Sequence, residues 1–257
     1  MIRMEDITFT YARRPIFEGF SWQVARGEVW AVLGPSGCGK STLLLLLAGL
    51  VAPQTGKIEI QGEMLDRPRP QTSLVLQEYG LLPWATLREN VALGLRIRRF
   101  YGPDGRHAPQ DLRLDANDIA MRTENWLRRL DIYGLADYRP SQVSGGQRQR
   151  AAIARALVLQ PDLLLMDEPF AALDAPTRED LQALTLALCS EAGLTVVLVT
   201  HTLEEAAFVG QRILILDAPP NHVPHSLANP HTADAAYRRS AAYYAQVTKL
   251  RGRLEGA

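Results

Sequence analysis

The stretch Gly34-Pro-Ser-Gly-Cys-Gly-Lys-Ser-Thr42 decides how the rest of the chain is read. It fits the pattern G-x-x-x-x-G-K-[ST]. An apolar run, Val29–Leu33, precedes it and a helical run, Leu43–Leu50, follows. In a strand–loop–helix context such glycines let backbone N–H groups turn inward around phosphate oxygens. Gly34, Pro35, Ser36, Gly37, Cys38 and Gly39 would then form the cradle, with Lys40, Ser41 and Thr42 opening the helix. Lys40 supplies a point charge for β- and γ-phosphates, and Ser41 a hydroxyl for Mg²⁺.

Further short apolar runs stand at Leu74–Leu76, Leu163–Met166, Val196–Val199 and Ile213–Leu216. They do not alternate with polar residues, as expected of strands buried on both faces of a parallel sheet. Helical signals lie between them. Pro176 suits a first turn before Leu181, Leu184 and Leu188, and Thr202-Leu-Glu-Glu205 reads as a capping box. The first sixty residues differ: Phe20, Trp22 and Val24 alternate with polar neighbours, as do Ile58 and Ile60, which predicts an antiparallel β-layer. From about 86 to 160 the pattern is helical, with a capping box at Thr86-Leu-Arg-Glu89 and a helix face at Trp126, Leu127 and Leu130. The expected fold is therefore α/β: a P-loop parallel-sheet core, an antiparallel β-layer and an inserted helical lobe. Arg96–Asp118 is expected as a long surface connection, and 218–257 as a tail ending in a helix packed on the core.

The run Leu163-Leu-Leu-Met166-Asp167-Glu168 places two carboxylates at the C-terminal end of a buried strand, where ligands bind in parallel sheets. Asp167 is expected to help hold Mg²⁺ and Glu168 to polarise a water. A second candidate phosphate site is Ser144-Gly-Gly-Gln147. It scans as a capping box, and a helix N-terminus also presents unpaired N–H groups to an anion.

Composition narrows the partners. The 257 residues are 47% apolar, enough for a sizeable core, and the acids and bases balance at 28 each. This gives no global reason to expect nucleic acid as a partner. Cys38 and Cys189 stand far apart and outside any metal spacing, which fits a reducing compartment. No signal-peptide pattern is visible, and the longest apolar run is half the length of a membrane span. A soluble chain that docks on a membrane protein is expected.

Taken together, Tyr11, the GPSGCGKST loop, Gln77, VSGGQRQR, LLLMDEP with AALD after it, and His201 after VVLVT resemble the ATP-binding cassette family in order and spacing, up to about residue 217. The resemblance implies ATP and Mg²⁺ as cofactors and ATP hydrolysis as the activity. By it, Tyr11 stacks on adenine, and Gln77 senses Mg²⁺ and the attacking water. His201 contacts the γ-phosphate, and Asp174 contacts the facing subunit. It also implies that two copies meet head to tail, with Ser144, Gly145, Gly146 and Gln147 of one closing the phosphate loop of the other.

The segment Tyr79–Trp84, with LLPW at its end, and the later ILILDAPPNHV resemble the ATPases of bacterial nitrate, sulfonate and taurine importers. This implies permease subunits docking near Tyr79–Trp84, a solute-binding protein as indirect partner, and a peripheral place on the cytoplasmic face of the inner membrane. The catalytic residues alone leave an exporter or lipid-handling ATPase, or a non-transport cassette, as alternatives. Glu168 argues against a nucleotide-binding module without turnover.

Overall fold

The computed structural model describes residues 1–99, 114–229 and 236–255. The five apolar runs fall in one six-stranded sheet. In chain order its strands are β3 (Val29–Leu33), β6 (Thr72–Val75), β7 (Leu163–Asp167), β8 (Thr195–Val199), β9 (Arg212–Ile215) and β10 (His225–Ala228). In space the order is β10-β9-β3-β8-β7-β6. All neighbours run parallel except β10, which pairs antiparallel with β9 at the edge.

Both faces are covered, as the unbroken apolar runs require. Trp30, Val32, Leu165, Val197, Val199 and Leu214 face one buried cluster, which includes Leu43, Leu44, Leu46 and Leu47 of helix α1 (Lys40–Leu47). The intervening Ala31, Leu33, Leu164, Met166, Val196, Leu198 and Ile213 face the other.

The alternating segments form the antiparallel layer. Strands β1 (Ile2–Tyr11), β2 (Arg14–Val24), β4 (Thr55–Ile60) and β5 (Glu63–Met64) stand in the order β2-β1-β4-β5. Register puts Met4 opposite both Trp22 and Ile58, and Ile2 opposite both Val24 and Ile60. These six side chains are buried in the α1 cluster. A one-residue slip would turn the set to solvent, so burial fixes the register.

Between β6 and β7 lie α2 (Leu87–Arg98), α3 (Ala116–Arg129) and α4 (Gly145–Leu157). The Thr86–Glu89 box forms in both directions at the start of α2. Leu87, Val91 and Leu95 of α2 meet Ile119, Trp126 and Leu127 of α3 in the same buried cluster as the main sheet.

The connection expected over Arg96–Asp118 is shorter at both ends. Arg96–Arg98 form the last turn of α2. Asp115 caps α3 by accepting from the Asp118 N–H at 2.7 Å. Arg98 is polar yet helical because its guanidinium donates to the Leu159 and Pro70 carbonyls. Residues 100–113 of that connection lie outside the described residues.

Helix α5 (Ala175–Glu191) carries Pro176 in its first turn as expected, with Asp174 as its N-cap, and α6 (Leu203–Val209) starts soon after β8. The box expected at Thr202–Glu205 does not form: Thr202 makes no side-chain cap. Glu205 turns inward instead, where it accepts from Gln182 Nε2 at 3.0 Å.

Residues 218 onward do more than form a helix. They supply β10, then α7 (Ala241–Glu255), which buries Tyr243, Val247 and Leu250 against α6. Strand β10 escaped the sequence reading because its residues are mostly exposed at the sheet edge and form no apolar run. Asn229 ties this region down. Its amide donates to the Ala207 and Gly210 carbonyls at 2.7 and 2.8 Å, and it accepts from the Tyr237 hydroxyl at 2.9 Å. Asn229→Ala would remove all three hydrogen bonds. Urea unfolding should show a loss of about 3 kcal/mol.

Candidate active site

The sheet's C-terminal edge collects the chemistry. Val32 pairs with Val199, and Val199 with Asp167. The residues just beyond that row are the phosphate loop, Thr200-His201 and Glu168. A cleft of about 620 Å³ opens there, lined by Tyr11, Arg14, Ser36, Lys40, Glu168 and His201 among others.

Close packing shapes the loop. A Cβ on Gly34 would lie 2.5 Å from the Leu216 carbonyl oxygen and 2.6 Å from Cys38 Sγ. A Cβ on Gly39 (φ +111°) would lie 2.5 Å from Ile16. Only glycine fits at either place. Lys40 donates to the Gly34 and Pro35 carbonyls at 2.8 and 2.9 Å, which holds its ammonium against the loop. The Cys38 side chain is buried within the loop, where burial raises its thiol pKa. It contributes shape rather than a thiolate. Tyr11 stands at the end of β1, 46% exposed, its ring edge-on to Phe9 at 4.8 Å. A free aromatic face at the cleft mouth suits a flat base.

Three side chains from three strand ends converge. Gln77 Nε2 donates to Glu168 Oε2 at 3.3 Å, and His201 Nδ1 lies 3.0 Å from Glu168 Oε1. Glu168 sits at φ +45°, a left-handed conformation uncommon for a side-chain-bearing residue. Its N–H is fixed by the Val199 carbonyl at 2.9 Å. Strain of this kind is kept where surrounding structure over-determines it.

Beside Glu168, burial pushes the Asp167 carboxyl above the usual range, while a hydrogen bond with Ser41 pulls it the other way. A hydroxyl and a carboxylate in contact at the foot of the loop are hard oxygen donors. They fit a Mg²⁺ that keeps water and phosphate among its ligands. Among the described residues no cluster of three or more His, Cys, Asp or Glu forms a protein-only metal cage. Gln77 engages Glu168, one step from that pair.

Ser144–Gln147 and Asp174 are placed elsewhere. Ser144 caps α4: its N–H donates to Gln147 Oε1 at 2.9 Å, and it accepts from the Gln147 N–H at 3.3 Å. Asp174 caps α5 by accepting from the Thr177 N–H at 3.1 Å, which holds its carboxyl below the usual range. The two helix starts touch, since a Cβ on Gly146 would lie 2.6 Å from Thr177 Cγ2. None of these residues lines the cleft of its own chain.

Two asparagines escaped the sequence reading. Asn221, in the loop before β10, is buried. Its amide donates to the Cys38 carbonyl at 2.9 Å and the Ile16 carbonyl at 3.3 Å, and its oxygen accepts from the Asp217 N–H at 2.9 Å. It thus ties the phosphate loop to β2 and to the end of the sheet. Asn90, buried in α2, accepts from the Leu82 N–H and donates to the Leu82, Ala85 and Thr86 carbonyls. That clamp presents Trp84, 71% exposed. Arg155 of α4 holds the preceding turn through the Tyr79 and Gly80 carbonyls. Asn-rich loops are common, and nothing local in the sequence marks these two as buried.

Comparison with known proteins identifies the family. The ABC transporter family model matches residues 17–171. The taurine import ATP-binding protein TauB of Pseudomonas aeruginosa PAO1 is 43% identical over 214 residues, covering 82% of this chain and 75% of that protein. Its namesake from Escherichia coli K12 is 40% identical over 223 residues, covering 87% and 82%. Among solved structures, the dimeric post-hydrolysis state of the ATP-binding cassette MJ0796, bound to ADP and Pi, is similar. It superposes with a TM-score of 0.75 at 30% identity, over 89% of this chain and 98% of that one.

Removing the Asn221 amide should loosen the loop without touching nucleotide. For Asn221→Ala we expect ATP affinity to fall about tenfold, from roughly 1–2 kcal/mol of lost loop support. Titration with a fluorescent ATP analogue would show it; unchanged affinity would remove Asn221 from that role. By its matched family model and its relatives, the chain belongs to the ABC transporter family, as an ATP-hydrolysing cassette.

Proposed function

We propose that this chain is the ATPase subunit of an importer for taurine or a similar small sulfonate, working as a head-to-tail pair on the cytoplasmic face of a membrane permease. The observation that carries the hydrolytic part is the Gln77–Glu168–His201 convergence at the mouth of the phosphate-loop cleft. The substrate class follows from the relatives named taurine import ATP-binding proteins.

The chemistry assigned to the residues is as follows. Tyr11 stacks on the adenine. The N–H groups of the loop and Lys40 hold the β- and γ-phosphates, for which Lys40 exchanges its present carbonyl partners. Ser41 and Asp167 would hold Mg²⁺, which neutralises developing charge on the phosphates. Glu168 accepts a hydrogen bond from the attacking water and aligns it with the γ-phosphorus. His201 steadies that carboxylate and reaches the γ-phosphate, and Gln77 reports the state of the site to the segment that follows it. The N-terminus of α4 in a second copy, with Ser144 and the Gly145–Gly146 N–H groups, supplies the remaining donors. ATP then joins the two copies, and loss of the γ-phosphate releases them. Asp174, at the helix start touching α4, lies on the same opposing surface.

Docking on the permease is assigned to Tyr79–Trp84. Exposed Leu76 and Trp84 flank the segment that Asn90 and Arg155 hold rigid. An aromatic anchor on a fixed loop suits a helix-in-groove partner. Among the described residues no helix is long and apolar enough to cross a membrane.

Glu168→Gln should bind ATP yet hydrolyse it at least about a hundredfold more slowly, and ATP should convert it to a dimer on size-exclusion chromatography. A monomer with bound ATP would contradict the two-copy site. Trp84→Ala should keep the isolated ATPase rate and weaken co-purification with the permease. Undiminished co-purification would remove Trp84 as the anchor.

A further inference from the structure

The His201 turn is held from behind by a buried polar chain that reaches the C-terminal segment. Thr200 and Thr202 flank His201, and the Thr202 N–H donates to Thr200 Oγ1 at 3.0 Å. Burial raises the Glu205 carboxyl pKa, and the Thr200 side chain beside it pulls the other way. Glu205 is almost fully buried on α6 and accepts from Gln182 Nε2 of α5 at 3.0 Å. The Gln182 oxygen accepts from Arg238 Nη2 at 2.7 Å. Arg238 is itself fixed three ways. Its Nη1 lies 2.9 Å from Glu179 Oε1, its guanidinium sits 3.8 Å over the Phe208 ring, and the neighbouring Tyr237 is anchored on Asn229.

Nothing in the nucleotide chemistry requires this arrangement. A buried carboxyl group is costly unless it is hydrogen-bonded, and here Glu205 stands between Gln182 of α5 and Thr200 of the turn that carries His201. Arg178 provides nearby positive charge.

We propose that Glu205 and Arg238 are positioning residues for His201, joined through Gln182 and Thr200, so that docking of the C-terminal segment on α5 and α6 sets how firmly His201 meets Glu168. The proposal rests on the assignment of Glu168 and His201 to hydrolysis. Removing the guanidinium frees the Gln182 amide to rotate, which takes a donor from Glu205 and lets the Thr200–Thr202 turn relax. A small displacement of His201 then lowers the rate without altering the cradle that binds ATP.

The test uses the full chain with Arg238→Met, which keeps apolar cover on Phe208, and Gln182→Met, which breaks the chain at its middle. Each should lower kcat by about fivefold or more per nucleotide-binding chain, with ATP affinity and binding stoichiometry unchanged. Arg238→Lys should recover part of the rate. The imidazole NMR signals of His201 should shift in both Met variants, while those of His222 and His225 stay in place. Should one variant fail to fold, the other decides. Unchanged kcat, or His201 signals that do not move, would overturn the proposal. Failure of the underlying assignment looks different: wild-type protein would not hydrolyse ATP, or Glu168→Gln would be as active as wild type.

Discussion

The register of the parallel sheet is the constraint on which the molecule depends. Val32, Val199 and Asp167 stand in one row across β3, β8 and β7. Residues that follow the row therefore emerge side by side, although they are far apart in sequence. Apolar side chains on both faces hold that row, and none of them touches the chemistry. A shift of any strand by one residue would expose its buried set and scatter Glu168, His201 and the loop.

Around that edge, polar groups convert strand ends into a shaped cleft. Asn221 ties the loop to β2, the Val199 carbonyl fixes Glu168 in its left-handed turn, and Gln77 and His201 grip the two oxygens of its carboxylate. These contacts make the site stiff before nucleotide arrives, as electrostatic stabilisation of a phosphoryl transfer requires. The α4 N-terminus is equally well formed but points to no cleft of its own chain. Its capping box satisfies its first N–H groups only in part, and the remainder are the donors that the proposed opposing copy would use.

Much of this was legible in the sequence, and the reasons are specific. Unbroken apolar runs announced β3, β7 and β8, because burial on both faces leaves little room for polar residues, and the short runs at Leu74–Leu76 and Ile213–Leu216 announced β6 and β9. The glycine loop was legible because Gly34 and Gly39 have no steric substitute. Two capping boxes formed as read, at Thr86 and Ser144. The third failed at Thr202, where Glu205 found better partners in Gln182 and Thr200 than in its own helix start. Strand β10 was hidden because an edge strand needs little apolar surface. Asn90, Asn221 and Arg238 were hidden because their partners are backbone carbonyls or side chains remote in sequence, which no local pattern encodes.

The central claim is that each nucleotide is enclosed by the phosphate loop of one copy and the α4 N-terminus of the other. A photo-cross-linking amino acid at position 144 of the Glu168→Gln chain tests it directly, in a mixture of isotopically heavy and light protein. With ATP present, mass mapping should show heavy–light links between position 144 and residues 34–42, and without ATP these should vanish. Links confined to single chains, or none to the phosphate loop with ATP bound, would contradict the claim.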